Sequence, residues 1–199
     1  QAVNNYRLQN EQKSIVTPML FNAPFAVSQN QADASYLQQM ALSLIALRLN
    51  VTPETVDAAN DALLRVADGL ARSGGNWDVA IDIYKEVLKN SQSPIIREAA
   101  LMGLGRYGDS GVIDTIVAAT GAANGTFDKT ATMALTAIQG ADGVRGVIAV
   151  YPNLSEKIRA NILSIWGQQK QIDALDLVTK ELASQTPGIR AAALHALVD

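Results

Sequence analysis

Four stretches of sequence decide the fold: Ser93-Pro-Ile-Ile-Arg-Glu-Ala-Ala-Leu-Met-Gly-Leu104, Asn124-Gly-Thr-Phe-Asp-Lys-Thr-Ala-Thr-Met-Ala-Leu135, Ser155-Glu-Lys-Ile-Arg-Ala-Asn-Ile-Leu-Ser-Ile-Trp166 and Thr186-Pro-Gly-Ile-Arg-Ala-Ala-Ala-Leu-His-Ala-Leu197. Each begins 31 positions after the one before it. All four open on a residue whose side-chain oxygen can accept from the free amides of a helix's first turn. Pro94 and Pro187 follow two of these caps, at the first helical position, where proline is best tolerated. Three residues after each cap stand Ile96, Phe127, Ile158 and Ile189, then Ala100, Ala131, Ile162 and Ala193, then Leu104, Leu135, Trp166 and Leu197. Offsets of four and eight put these columns on one face of a helix.

A second helix completes each unit. Ile113, Val144 and Leu175 form one apolar column, and Ile116, Val147 and Val178 form another three residues on. Between the two helices lie Gly108 to Gly111, Gly140 to Gly143 and Gln168 to Gln171, the length of an antiparallel helical hairpin link. Hairpins of fixed period that each leave an apolar face bare must stack on their neighbours. The expected fold is therefore all-α, a solenoid of antiparallel helical hairpins over residues 93–199 whose last copy is incomplete.

Upstream the period is lost but the helices continue. Leu63, Leu64, Ala67, Leu70 and Ala71 share one stripe, ended by Ser73-Gly74-Gly75; Val79, Ile81, Ile83, Tyr84, Val87 and Leu88 mark the next helix. Thr52-Pro53-Glu54 reads as a cap and helix start, with Glu54 and Asp57 near the positive end of the dipole. Residues Tyr36 to Leu49 form a strongly apolar helical pattern. Together, 31–92 read as an irregular helical cap for the repeats. Residues 1–30 carry Pro18 and Pro24, are rich in Gln and Asn and show no period. They read either as an extended arm anchored through Met19, Leu20 and Phe21 or as a disordered tail.

Composition excludes several classes. With 48% apolar residues the 199-residue chain can bury a sizeable core. A net charge of −3 with scattered basic residues is no footprint for nucleic acid. The absence of cysteine excludes disulfides and thiolate chemistry, and one histidine, His195, cannot supply a His-rich metal site. No run of about 18 apolar residues occurs, so no membrane span is expected within the chain. Gln1 begins the sequence with no secretory pattern after it, which reads as a processed or trimmed N-terminus.

No motif carries chemistry. Gly103-Leu-Gly-Arg-Tyr-Gly108 has the spacing of a dinucleotide loop, but it falls at a repeat helix's end instead of between strand and helix. Gly125 to Thr130 has a lysine that does not follow the glycine as a phosphate cradle requires. The acids are spread one or two per helix, and His195 has no acid or nucleophile beside it in sequence. Trp77 and Trp166 are expected to fill core gaps. No catalytic, cofactor-binding or metal residue is assigned, and the chain is read as no enzyme.

The segments Pro94 to Leu101 and Pro187 to Leu194 resemble the arginine-then-alanine helix of HEAT-like repeats, with Arg159 at the same place and Asp128 departing from it. The resemblance covers about 93–199. It implies that Arg97, Arg159 and Arg190 are structural, bonding to a neighbouring repeat, and that the solenoid serves as a docking scaffold; it implies no reaction.

A second resemblance lies upstream. Val3 to Gln12, Thr17 to Ser28, Ser35 to Ser43 and Leu47 to Asp57 are similar to TraE, a family of conjugative-transfer proteins of F-type type IV secretion systems. It spans about residues 3–66. The resemblance implies a non-enzymatic assembly factor, anchored in the inner membrane by a helix ahead of the part matching Val3, with its remainder in the periplasm. It also implies a mixed α/β domain after Leu64, where this chain has helical repeats instead. The sequence is then a fusion, a composite or a design.

Two functions follow: a scaffold component of a conjugative apparatus contacting other protein subunits, or a free-standing HEAT-like adaptor binding a protein on its concave face. The last repeat lacks its second helix and leaves Leu194 and Leu197 bare. Either the natural chain continues past Asp199 or this end docks on another copy or a partner.

Overall fold

The computed structural model describes residues 39, 42–43, 53–72, 77–121 and 125–198. Among them there is no strand, and the chain is all-α. The TraE-like strings before residue 53, the Met19, Leu20 and Phe21 patch and the Asn124 cap lie outside the described residues, apart from Gln39, Leu42 and Ser43, which are helical.

The chain divides into two compact units, 1–100 and 101–199. The first holds α1 (Pro53–Arg72) and α2 (Trp77–Asn90), packed on each other. Proline stands at the first position of α1, as its sequence predicts. The apolar stripe is buried through Leu63, Leu64, Ala67, Leu70 and Ala71, against Ile83, Tyr84, Val87 and Leu88 of α2. Tyr84 donates its hydroxyl to the Asp68 carboxylate across the pair. Trp77 departs from expectation: at the first position of α2 it is 55% exposed, on the helix's solvent side.

The division between units falls within α3 (Pro94–Tyr107). The second unit continues with α4 (Ile113–Gly121), α5 (Asp128–Ala137), α6 (Gly140–Val150), α7 (Glu156–Gln168), α8 (Leu175–Glu181) and α9 (Pro187–Val198). Short 3-10 turns at Ser110–Val112, Tyr151–Asn153 and Ile172–Ala174 join them. Helix α5 packs on α7, and α7 on α9, so the first helices of successive copies lie side by side. Helix α6 contacts the 3-10 turns that lead into α4 and α8.

The repeat columns account for the core. Phe127, Ile158 and Ile189 are buried, as are Ala100, Ala131, Ile162 and Ala193, and Leu104, Leu135 and Trp166. Ile113, Val144, Ile116, Val147 and Val178 of the second helices are buried as well. The helices α3, α7 and α9 begin directly after Ser93, Ser155 and Thr186. The carbonyls of those three residues accept from Arg97, Arg159 and Arg190 amides at 2.9–3.1 Å, closing the first helical turns. Ser155 also accepts through Oγ from the Ile158 amide at 3.3 Å.

Three local departures have physical causes. Helix α5 begins at Asp128, three residues later than the register, because Gly125 sits at φ +82° and starts a turn whose carbonyl accepts from the Asp128 amide. The link between α5 and α6 is shorter than Gly140 to Gly143, since α6 already begins at Gly140. Leu175 is 49% exposed instead of buried: the preceding 3-10 turn carries Ala174 into the core, and Leu177 and Val178 supply the rest of α8's inner face.

Candidate functional site

The glycines of the dinucleotide-like string have a packing role. Gly105 lies in α3 where a Cβ would stand 2.5 Å from the Cα of Ala134, so α3 and α5 touch backbone to backbone. One at Gly108 would stand 2.7 Å from Val112. The string ends a helix, with no strand before it, and has no geometry for a pyrophosphate. Among the described residues no three His, Cys, Asp or Glu side chains converge as a metal site would require.

The second unit has a shallow cleft of about 470 Å³ across the carboxyl ends of α3, α5 and α7. Met102, Arg106, Gln139, Gln169 and Gln171 line it, with the backbone from Thr136 to Gly140. The Arg106 guanidinium stands 5.9 Å from the Tyr107 ring centre. The cleft offers amide groups and one cation but no acid–base pair.

The three repeat arginines occupy different surroundings. Arg190 donates from Nη1 to the Ser184 carbonyl at 2.7 Å, tying α9 to the loop before it. Arg159 lies 5.9 Å from the Tyr151 ring centre, reaching back in the same direction along the chain. Its Nε and the Tyr151 hydroxyl are both buried without a hydrogen-bond partner among the described residues. Burial raises the Tyr151 hydroxyl well above its ordinary range, with the Glu181 carboxylate adding to the rise and Arg159 opposing it. Arg97 belongs to α3. Sequence reasoning missed the Tyr151–Arg159–Glu181 grouping, which brings together the end of one copy and the start of the next. His195 is exposed on α9.

Leu194 and Leu197 are 57% and 44% exposed, and Val198 beside them is 77% exposed. The same register positions in earlier copies are buried: Leu101 and Leu163 for Leu194, Leu104, Leu135 and Trp166 for Leu197. Leu175 at the start of α8 and Leu182 just past its end repeat the pattern, since Val144 and Tyr151 at their positions one copy earlier are buried. The sequence reading puts Leu175 in the column of Ile113 and Val144 but passes over Leu182, which comparison with Tyr151 at the 31-residue offset would have found.

No helix among the described residues is long and apolar enough to cross a membrane. No solved structure matches this chain. The TraE protein family matches residues 1–75, so the match runs past Asp57 and takes in the whole of α1. A TraE protein of Escherichia coli strain K12 is 80% identical over 65 residues, which cover 33% of this chain and 35% of that protein. A TraE protein of Salmonella typhi is 51% identical over 94 residues, 47% of this chain and 46% of that protein. The chain thus spans less than half the length of these curated relatives. Residues 1–75 of this chain are similar in sequence to TraE proteins, and the family match ends just before α2 (Trp77–Asn90).

Proposed function

We propose that this chain is a non-enzymatic scaffold of a type IV conjugative transfer apparatus, working through contacts with other protein subunits. The identity of 80% over 65 residues to a TraE protein carries this reading. Residues 1–30 act as the docking arm, with Met19, Leu20 and Phe21 as its anchor; 31–92 form the TraE-like helices and cap; 93–199 form a HEAT-like stack. The workplace is the periplasmic side of the inner membrane. No cofactor, metal or nucleic acid enters the activity.

Competition in a conjugating donor tests it. Expressed beside intact TraE in Escherichia coli, the chain occupies TraE's contacts without supplying the unmatched part of that protein. Transfer frequency then falls at least tenfold, and deletion of residues 1–30 restores it. Unchanged transfer, with the chain present at TraE's own level in the envelope, sinks the proposal.

A second reading, a free-standing adaptor that binds a protein on the concave face of a HEAT-like stack, draws on the packing geometry. The contact of Gly105 with Ala134 recurs two copies later as the contact of Gly167 with Ala196. Under this reading, partner binding survives deletion of residues 1–30.

A further inference from the structure

We propose that the cleft across the carboxyl ends of α3, α5 and α7 binds an extended peptide strand that carries an acidic side chain. The inference rests on the chemistry of that cleft, and neither on the TraE match nor on the concave face of the stack. A volume of about 470 Å³ is within the range of sites that hold small ligands. Met102 and Arg106 stand one turn apart on α3, and Gln139, Gln169 and Gln171 line the cleft from the links that follow α5 and α7. Arg106 is exposed and makes no ion pair among the described residues; its guanidinium lies over the Tyr107 ring. A guanidinium in that state takes a carboxylate through paired, charge-assisted bonds.

The remaining groups suit a peptide main chain. Each glutamine amide offers a donor and an acceptor, as a peptide unit does, and none of the three side chains is hydrogen-bonded among the described residues. Gln139 stands at the N-cap of α6 without capping it. The last turn of α5 adds acceptors. On α3 the Leu104 carbonyl accepts from the Gly108 amide, and on α7 the Ile165, Trp166 and Gly167 carbonyls accept from the amides of Gln169, Gln171 and Lys170. Helix α5 instead turns extended at Ile138, with φ −63° and ψ 121°, and no amide among the described residues caps its last turn. Those carbonyls and the glutamines match the alternating N–H and C=O of an extended strand, and Arg106 fixes where its acid falls. A phosphate-rich ligand is disfavoured by the negative ends of three helices, and a cationic one by Arg106.

Panning a phage-displayed library of random linear peptides on the purified chain tests this with no conjugation protein present. The expected result is enrichment of sequences that share one Asp or Glu, the strongest of which, as a synthetic peptide, binds in the micromolar range by fluorescence anisotropy. Arg106→Gln weakens that binding about tenfold, and Gln169→Ala about threefold. Replacing the peptide's acid by its amide costs as much as Arg106→Gln and adds little in the Arg106→Gln protein. Lys129→Gln, at the opposite end of α5, leaves binding intact. Arg106, Lys129 and Gln169 are all exposed, so the variants keep the fold, and unchanged urea midpoints check it. A library that yields no binder overturns the proposal, as do enriched peptides that are basic or share no acid. Binding that Arg106→Gln leaves unchanged, or that Lys129→Gln weakens equally, overturns it as well.

Discussion

Gly167 and Ala196 leave no room between them for a side chain: a Cβ at Gly167 would stand 2.7 Å from the Cβ of Ala196. The pair lies 62 residues, two periods, after Gly105 and Ala134, which meet in the same way. Alanine at Gly167 should raise helix propensity by about 1 kcal/mol. The clash with α9 outweighs that gain, because backbone cannot swing aside, and overpacking costs about 1–3 kcal/mol. Gly167→Ala is expected to lower stability by about 1–2 kcal/mol in urea unfolding. Gly146→Ala is the contrast. Its new methyl meets the end of the Ile113 side chain, which can change rotamer, so stability should hold or rise.

The two tryptophans separate core from surface. Trp166 is buried and Trp77 is 55% exposed. Trp166→Ala empties a large volume and should cost about 3–5 kcal/mol. Trp77→Ala should stay within about 0.5 kcal/mol of the parent. Fluorescence of the single-tryptophan proteins gives a second check, with Trp166 emitting at shorter wavelength.

Tyr84 couples α1, which the TraE family match covers, to α2 through its bond to Asp68. Tyr84→Phe keeps the ring and removes the hydroxyl, so the helices stay packed and about 1 kcal/mol is lost. A loss in the Tyr84→Phe, Asp68→Ala double variant smaller than the sum of the two single losses would confirm the coupling. Additive losses would count against it.

Tyr151 makes stability sensitive to alkali. Its folded pKa lies above the ordinary value of 10.0, so the unfolded chain gives up this proton first as pH rises. The contribution is complete below pH 10 and is lost progressively above it. Denaturant midpoints should therefore fall more steeply above pH 10 in the parent than in Tyr151→Phe. Parallel pH profiles would show that the hydroxyl ionises freely in the folded state.

Much of the architecture was legible because the relevant physics is local. A cap residue, a proline at the first turn and an apolar side chain every three or four residues specify where a helix starts and which face it buries. Ser155, Pro94 and Ala100 did this, each by its own chemistry. The same logic failed at Asn124, where Gly125 in the left-handed region delays the helix to Asp128. It failed again at Trp77, because hydrophobicity alone does not say whether a neighbour stands over a helix's first residue.

Period, helix type and the TraE-like strings follow from the order of residues, since each depends on neighbours within a few turns or on literal identity. The packing of Gly105 on Ala134, the burial of Tyr151 beside Arg159 and the exposure of Leu194 depend on groups distant along the chain. Leu163 and Leu194 hold the same place in the repeat and face the same way. The tertiary structure covers Leu163 and leaves Leu194 bare, because burial requires a second surface and no residue carries its neighbour with it.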